Sequence, residues 1–183
     1  MSERVSIDLK DGVADVRMIR TDKMNAIDAE MFTALVEAGR TLCAERSVRA
    51  VVLSGEGRAF CAGLDMVSFT AMADGTRDGV AVGGNVFERG SSGANRAQLA
   101  AWIWQEVPVP VIAAVHGVAY GAGLQVALGA DIRFVTPDAK LSIANVSVLH
   151  RYRLLAQALR LTIPELVILK ALSPSPQDRP ASA

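Results

Sequence analysis

Two glycine-bearing segments have the residues to hold a developing oxyanion with backbone amides. They are Ala59–Asp65 (AFCAGLD) and His116–Gln125 (HGVAYGAGLQ), and each follows an apolar, β-branched run where a helix is about to begin. N–H groups at such junctions point outward without partners, and two of them aimed at one point can bind an oxyanion. The flexible residues around Gly63 leave the N–H of Leu64 free to face a cleft. The spacing Gly117-x-x-x-Gly121-x-Gly123 gathers N–H groups around Ala122.

Each segment also has a purely structural explanation, and both alternatives stay open at this stage. The first segment would be a turn in which Asp65 caps the next helix, and the second a close helix–strand contact that needs glycine. Nucleotide binding fits poorly, because the third glycine of a G-x-G-x-x-G pattern would fall at Val126. Neither the two histidines, His116 and His150, nor the two cysteines have metal-ligand spacing, so we predict no metal site.

The elements that position these segments follow from periodicity and turn residues. Alternating apolar residues around Asp11-Gly12 predict a β-hairpin over residues 4–20. Apolar runs predict buried strands, and 3.6-residue spacing or flanking prolines predict helices. The predicted strands are Val48–Leu53, Val111–Val115 and Ile132–Val135, and the predicted helices are Asp28 to about Arg46, Asn95 to before Pro108, and Leu124–Leu128 with Gly129 as C-cap. This alternation indicates an α/β domain with parallel crossovers.

Composition limits the class of protein. The 183 residues suffice for one domain with a real core, and 51% of them are hydrophobic. Lys plus Arg and Asp plus Glu both total 19, so charge gives no argument for nucleic acid or an anionic membrane. Residues 107–130 carry no formal charge, but their prolines and glycines predict a buried strand, loop and helix rather than a membrane span. Unpaired Cys43 and Cys61 and the absence of a signal-like N-terminus lead us to expect a cytoplasmic protein.

Four stretches taken together resemble the crotonase family, also called the enoyl-CoA hydratase/isomerase family. They are Asp22–Ile27, Arg58–Asp65, Val115–Gly123 and Leu128–Arg133, and they occur in the family's order and near its spacing. The resemblance covers roughly residues 3–145. It implies an α/β fold of the crotonase-like ββα-spiral type with a shortened C-terminal helical part. The corresponding division is a core over 1–145, a helical segment over 146–172 and a disordered tail over 173–183.

The resemblance also implies an acyl-CoA thioester as partner and no cofactor beyond the coenzyme A of that substrate. The thioester oxygen would accept hydrogen bonds from the N–H groups of Leu64 and Ala122 and would gain charge as an enolate forms. Lys23 would be the phosphate contact of the coenzyme. The implied substrate-binding residues are Lys23, Met24, Ala26, Ala62, Gly63, Leu64, Asp65, Met66, Gly121 and Ala122. A homotrimer or hexamer is the expected assembly, with no nucleic-acid or membrane partner.

Two positions depart from the family pattern. Family hydratases use two glutamates, and Gln125 and Asn145 stand at those positions here. Neither amide can act as a general base near neutral pH, so ordinary two-glutamate hydration is not expected. The alternatives are enolate stabilisation of the hydratase/isomerase type and non-catalytic acyl-CoA binding by an inactive remnant. Past Asn145 the resemblance stops, which indicates a truncated or frame-altered family member or a genuine short variant. A serine hydrolase lacks support, since no G-x-S-x-G elbow is present.

For the remaining titratable residues we expect structural roles. His116 ends a buried strand and is predicted to be a satisfied structural histidine, while His150 lies among basic residues and is predicted to be solvated. Asp65 is expected to cap its loop. Asp131 is expected to satisfy backbone groups near a strand start.

Overall fold

The computed structural model describes residues 4–65 and 93–143, all within one compact unit, Met1–Ile143. Seven strands and three α-helices alternate along these ranges, with one short 3-10 turn at Thr21–Lys23. The strands are β1 Val5–Lys10, β2 Val13–Met18, β3 Ala50–Gly55, β4 Val111–Val115, β5 Val118–Tyr120, β6 Ile132–Val135 and β7 Lys140–Ser142; the helices are α1 Ala29–Ala44, α2 Arg96–Glu106 and α3 Ala122–Leu128.

The predicted hairpin is confirmed. Strands β1 and β2 pair antiparallel, with Lys10 opposite Val13 at the turn. Asp11 (φ 51°) and Gly12 (φ 81°) both have left-handed backbone, as a two-residue turn between twisted strands requires. The turn residues therefore set the register of the pair.

The remaining strands form a parallel sheet, as the alternation of elements predicts. The five-stranded sheet has the order β1-β2-β3-β4-β6, and its three pairings beyond the hairpin are parallel. Strands β5 and β7 form a separate parallel pair. Helix α1 provides the crossover from β2 to β3, and it buries one face against the core. Asp28 caps this helix by accepting a hydrogen bond of 2.7 Å from the Met31 N–H.

The predicted strand at Ile132–Val135 is present as β6, but the expectation that it is buried is wrong. All four of its residues are exposed, including 66% of Phe134. Among the described strands it lies at the edge of the sheet and pairs only with β4. An apolar run has the same composition whether or not another element covers it, so composition did not reveal this exposure.

A smaller strand escaped the sequence analysis. Residues Val118–Tyr120 form β5 inside the glycine-bearing segment that we treated as loop. Three residues between glycines carry too little periodicity to predict a strand. The predicted helix at Leu124–Leu128 also begins two residues earlier, at Ala122, and Gly129 is its C-cap as expected.

Helix α2 begins where the sequence indicates, through a reciprocal cap. The Asn95 side chain accepts from the Gln98 N–H at 3.0 Å, and the Gln98 side chain accepts from the Asn95 N–H at 3.0 Å. The helix ends at Glu106, two residues before Pro108. Trp104 anchors it in the core, with its indole N–H donating to the Ala100 carbonyl at 2.9 Å.

In the ranges that the structure describes, no helix is both long and apolar enough to cross a membrane. The uncharged stretch 107–130 instead contains β4, β5 and α3.

We predict that Asn95→Ala lowers the free energy of unfolding by about 1 kcal/mol, because the Gln98 N–H at the start of α2 loses the Asn95 side-chain oxygen and keeps only the Asn95 backbone carbonyl as acceptor. Urea unfolding followed by circular dichroism measures the change. The control is Asn95→Asp, which keeps an oxygen at the cap and is expected to retain most of the stability. Equal losses in both variants would contradict the capping role.

Candidate functional site

The two glycine-bearing segments lie directly against each other. The Cys61 N–H donates to the Val118 carbonyl at 3.0 Å, and the Tyr120 N–H donates to the Cys61 carbonyl at 3.0 Å. Gly123 makes a second close approach, since a Cβ at that position would lie 2.5 Å from the Cys61 oxygen. The close-packing explanation of the glycines is therefore correct for Gly123. The same packing brings the segment that contains Leu64 together with the segment that contains Ala122.

The N–H groups of Leu64 and Ala122 are among those in this region that have no acceptor in the described ranges. Ala122 is the first residue of α3, where the helix itself offers its N–H no partner. Leu64 lies between two residues bound to Ile27: the Ile27 N–H donates to the Gly63 carbonyl at 2.7 Å, and the Asp65 N–H donates to the Ile27 carbonyl at 3.0 Å. These bonds fix the backbone around Leu64 while leaving its own N–H unused.

The turn at residues 23–26 is fastened to the first segment. Met24 and Asn25 have left-handed backbone, with φ of 50° and 55°. The Ala62 N–H donates to the Met24 carbonyl at 2.9 Å. The buried Asn25 side chain donates from Nδ2 to the Glu56 carbonyl at 3.0 Å and the Ala59 carbonyl at 2.9 Å. Lys23 is exposed at the outer end of this turn.

A guanidinium joins the turn, the first segment and the start of α1. Arg20 Nη1 lies 2.9 Å from Asp65 Oδ2, 3.3 Å from Asp28 Oδ2 and 2.9 Å from the Ala26 carbonyl oxygen. Only 13% of the Arg20 side chain and 11% of the Asp65 side chain are exposed. The carboxylate that we expected to cap its loop thus pairs with Arg20. The role of Arg20 was not predicted from the sequence, because Asp65 lies 45 residues away and no local spacing links the two residues.

Two of the structural roles predicted for titratable residues are confirmed. His116 Nε2 lies 2.9 Å from the Gly57 carbonyl oxygen. The Asp131 carboxylate accepts from the Val111 N–H at 2.8 Å, and the Asp131 N–H donates to the Val111 carbonyl at 2.9 Å, so this residue secures the start of β4. Met66, Asn145 and His150, together with residues 146–183, lie outside the described residues.

A cleft of about 480 Å³ opens between α2 and α3. Helix α2 contributes Gln98, Trp102 and Gln105 to its lining, and α3 contributes Gln125 and Leu128. Gln125 lies one helical turn after Ala122 on α3, whereas Ala122 and Leu64 themselves are not among the described lining residues. The described lining contains no acidic, basic or imidazole side chain, and no cluster of metal-binding side chains occurs in the described parts of the chain.

The chain is similar in sequence to known proteins. A family model described as Enoyl-CoA hydratase/isomerase matches residues 8–148. A Mycobacterium leprae protein named as a probable enoyl-CoA hydratase is 32% identical over 138 residues, which are 74% of this chain and 49% of that protein. The 1,2-epoxyphenylacetyl-CoA isomerase of Escherichia coli is 34% identical over 144 residues, which are 79% of this chain and 52% of that enzyme.

A solved structure agrees in fold. An enoyl-CoA hydratase/carnithine racemase from Magnetospirillum magneticum superposes with a TM-score of 0.65 at 28% identity, over 79% of this chain and 51% of that one. The chain spans about half the length of the relatives that it matches. The predicted mixed α/β fold with a parallel sheet is confirmed by this likeness.

We predict that Arg20→Met lowers the free energy of unfolding by about 3 kcal/mol, because it removes the cation that pairs with the mostly buried Asp65 carboxylate at 2.9 Å. The matched control is Arg17→Met. Arg17 is half exposed and pairs with Asp15 at the surface, so its loss should change stability little. Chemical denaturation of both variants measures the difference, and similar stabilities would contradict a structural role for the buried pair.

We predict that Cys61 does not react with a chromogenic disulfide reagent in the folded protein. Burial raises the pKa of its thiol to about 12, so at about pH 8 the thiol stays protonated as well as inaccessible. A Cys43→Ser variant isolates the Cys61 signal, and adding denaturant should expose one thiol. Rapid labelling of Cys61 without denaturant would show that this part of the core opens readily.

Proposed function

The chain belongs to the enoyl-CoA hydratase/isomerase family, the crotonase family that its motifs resemble, and on that premise we propose that it binds an acyl-CoA thioester and stabilises its enolate. The observation that carries the proposal is the pair of unpaired N–H groups, Leu64 and Ala122, on two segments held together by hydrogen bonds. Such a pair suits a thioester oxygen, because the charge on that oxygen increases when the α-carbon loses its proton.

Backbone donors fit this chemistry because they are fixed before the substrate arrives. The bonds from Ile27 to Gly63 and from Asp65 to Ile27 hold the Leu64 amide, and α3 holds the Ala122 amide. Hydrogen bonds to an ionised acceptor are roughly twice as strong as neutral ones, so the donors favour the enolate over the neutral thioester. The side chain of Ala122 takes no part in this bonding. Alanine in place of the family's more usual glycine therefore still supplies the donor.

The coenzyme would lie along the turn at residues 23–26 and the backbone at Ala62. Lys23 is exposed at this turn and can pair with a phosphate of coenzyme A. Hydrogen bonds join the turn that contains Met24 and Ala26 to the segment that contains Ala62 and Leu64. The coenzyme would therefore bind a surface whose position relative to Leu64 is already fixed. Association into a trimer or hexamer and a cytoplasmic location remain predictions.

A second candidate is acyl-CoA binding without turnover. Gln125 stands at the family's first glutamate position and cannot remove a proton near neutral pH. The described lining of the cleft provides no carboxylate or imidazole in its place. This neutral lining favours enolate stabilisation or plain binding over two-glutamate hydration.

We predict that Ala122→Pro weakens binding of acetoacetyl-CoA, whose β-dicarbonyl readily forms an enolate, by about 100-fold. Proline is well tolerated at the first position of a helix, so the change removes the N–H without breaking α3. Ala122→Ser keeps the N–H and should bind within about threefold of the wild type. Enolate formation is followed by near-ultraviolet absorbance, and circular dichroism checks the fold. Unchanged binding by a folded proline variant would refute the amide site.

Turnover separates the two candidates. Crotonyl-CoA hydration and 3-enoyl-CoA isomerisation are assayed with the wild type and with the Gln125→Glu, Asn145→Glu double variant. Turnover by the wild type, or its appearance in the double variant, supports the catalytic candidate. Binding of acetoacetyl-CoA with no turnover in either protein supports the binder.

A further inference from the structure

One face of α2 is built for contact with a ligand. Gln98, Ala101, Trp102 and Gln105 follow the spacing i, i+3, i+4, i+7 and line the cleft. The opposite face, with Ile103 and Trp104, is buried in the core. Trp102 is 42% exposed, whereas Trp104 is fully buried. The two tryptophans of this helix therefore lie in different environments. An indole face left open in a cleft is a large apolar surface available for binding.

The other wall of the cleft has a fixed position. Gly129 follows α3, and a Cβ there would lie 2.1 Å from the Ala101 carbonyl oxygen. The chain after α3 therefore touches the backbone of α2 itself, and no side chain can adjust this contact. Gln125 and Leu128 of α3 also line the cleft.

The chemistry of the lining restricts the occupant. Within residues 4–65 and 93–143 the side-chain amides of Gln105 and Gln125 have no hydrogen-bond partner. A saturated alkyl chain would cover these amides without satisfying them, which carries a desolvation cost for each. A carboxylate-bearing group would find no cation in the described lining. A flat ring with a neutral oxygen substituent would cover the indole and also pair with an amide.

We propose that this cleft holds the acyl part of the thioester and selects an aromatic acyl group with a neutral hydrogen-bonding substituent. The inference rests on the proposed function, because Gln125, which lines the cleft, lies one helical turn after Ala122 on α3. Trp102 is then a specificity-determining residue that contacts the ring. Gln105 and Gln125 are the partners of the substituent.

The test compares 4-hydroxyphenylacetyl-CoA, phenylacetyl-CoA, octanoyl-CoA and free coenzyme A by calorimetry on the full chain. We expect the hydroxylated aromatic thioester to bind about tenfold more tightly than octanoyl-CoA, as an aromatic contact allows. Trp102→Leu should remove this preference and change octanoyl-CoA affinity less than threefold. Gln105→Leu should remove the preference for the hydroxylated ring over phenylacetyl-CoA.

Tryptophan emission gives an independent readout, since the chain has only two tryptophans. Aromatic thioesters should alter the emission of the wild type, and the change should be absent in Trp102→Phe, where buried Trp104 alone emits. Thioesters that bind with no aromatic preference, or without touching Trp102 emission, overturn this inference and leave the proposed function standing. If no thioester binds more tightly than coenzyme A, both fail.

Discussion

Arg20 links three parts of the chain through a single side chain. Its guanidinium contacts Asp65 at the end of the first glycine segment, Asp28 at the start of α1 and the carbonyl of Ala26 in the turn. Burying these charges costs desolvation energy, which the hydrogen bonds and close pairing offset. The result is a unit in which the turn, the helix cap at Asp28 and Asp65, the residue after Leu64, all contact one guanidinium. A backbone amide cannot reorient to suit a ligand, so its direction depends on such fixed surroundings.

Backbone groups and side chains contribute different parts of the candidate site. The unpaired N–H groups come from Leu64 and Ala122, whose side chains are not needed for hydrogen bonding. The side chains of α2 and α3 line the cleft and carry amides and an indole in place of acids or bases. The described lining offers no acid or base, so any proton transfer there would need a group from another part of the protein.

The elements that the sequence predicted well are those whose cause is local. The hairpin follows from Asp11-Gly12, α1 from its cap at Asp28, and the start of α2 from Asn95 and Gln98. Burial of β6 was predicted wrongly, because burial depends on which elements cover a strand and not on its own composition. Arg20 and Trp102 were missed for related reasons. The first acts across 45 residues, and the second is exposed only because α2 turns its other tryptophan inward.

The contact between Gly129 and the Ala101 carbonyl has a consequence for how such a protein could change. It fixes the spacing of α2 and α3 through backbone atoms alone. Substitutions at positions 98, 102 and 105 can then reshape the cleft without displacing the helix that begins at Ala122. Acyl preference could diverge during evolution, or be redesigned in the laboratory, one residue at a time. The backbone amides of Leu64 and Ala122 would keep their geometry throughout.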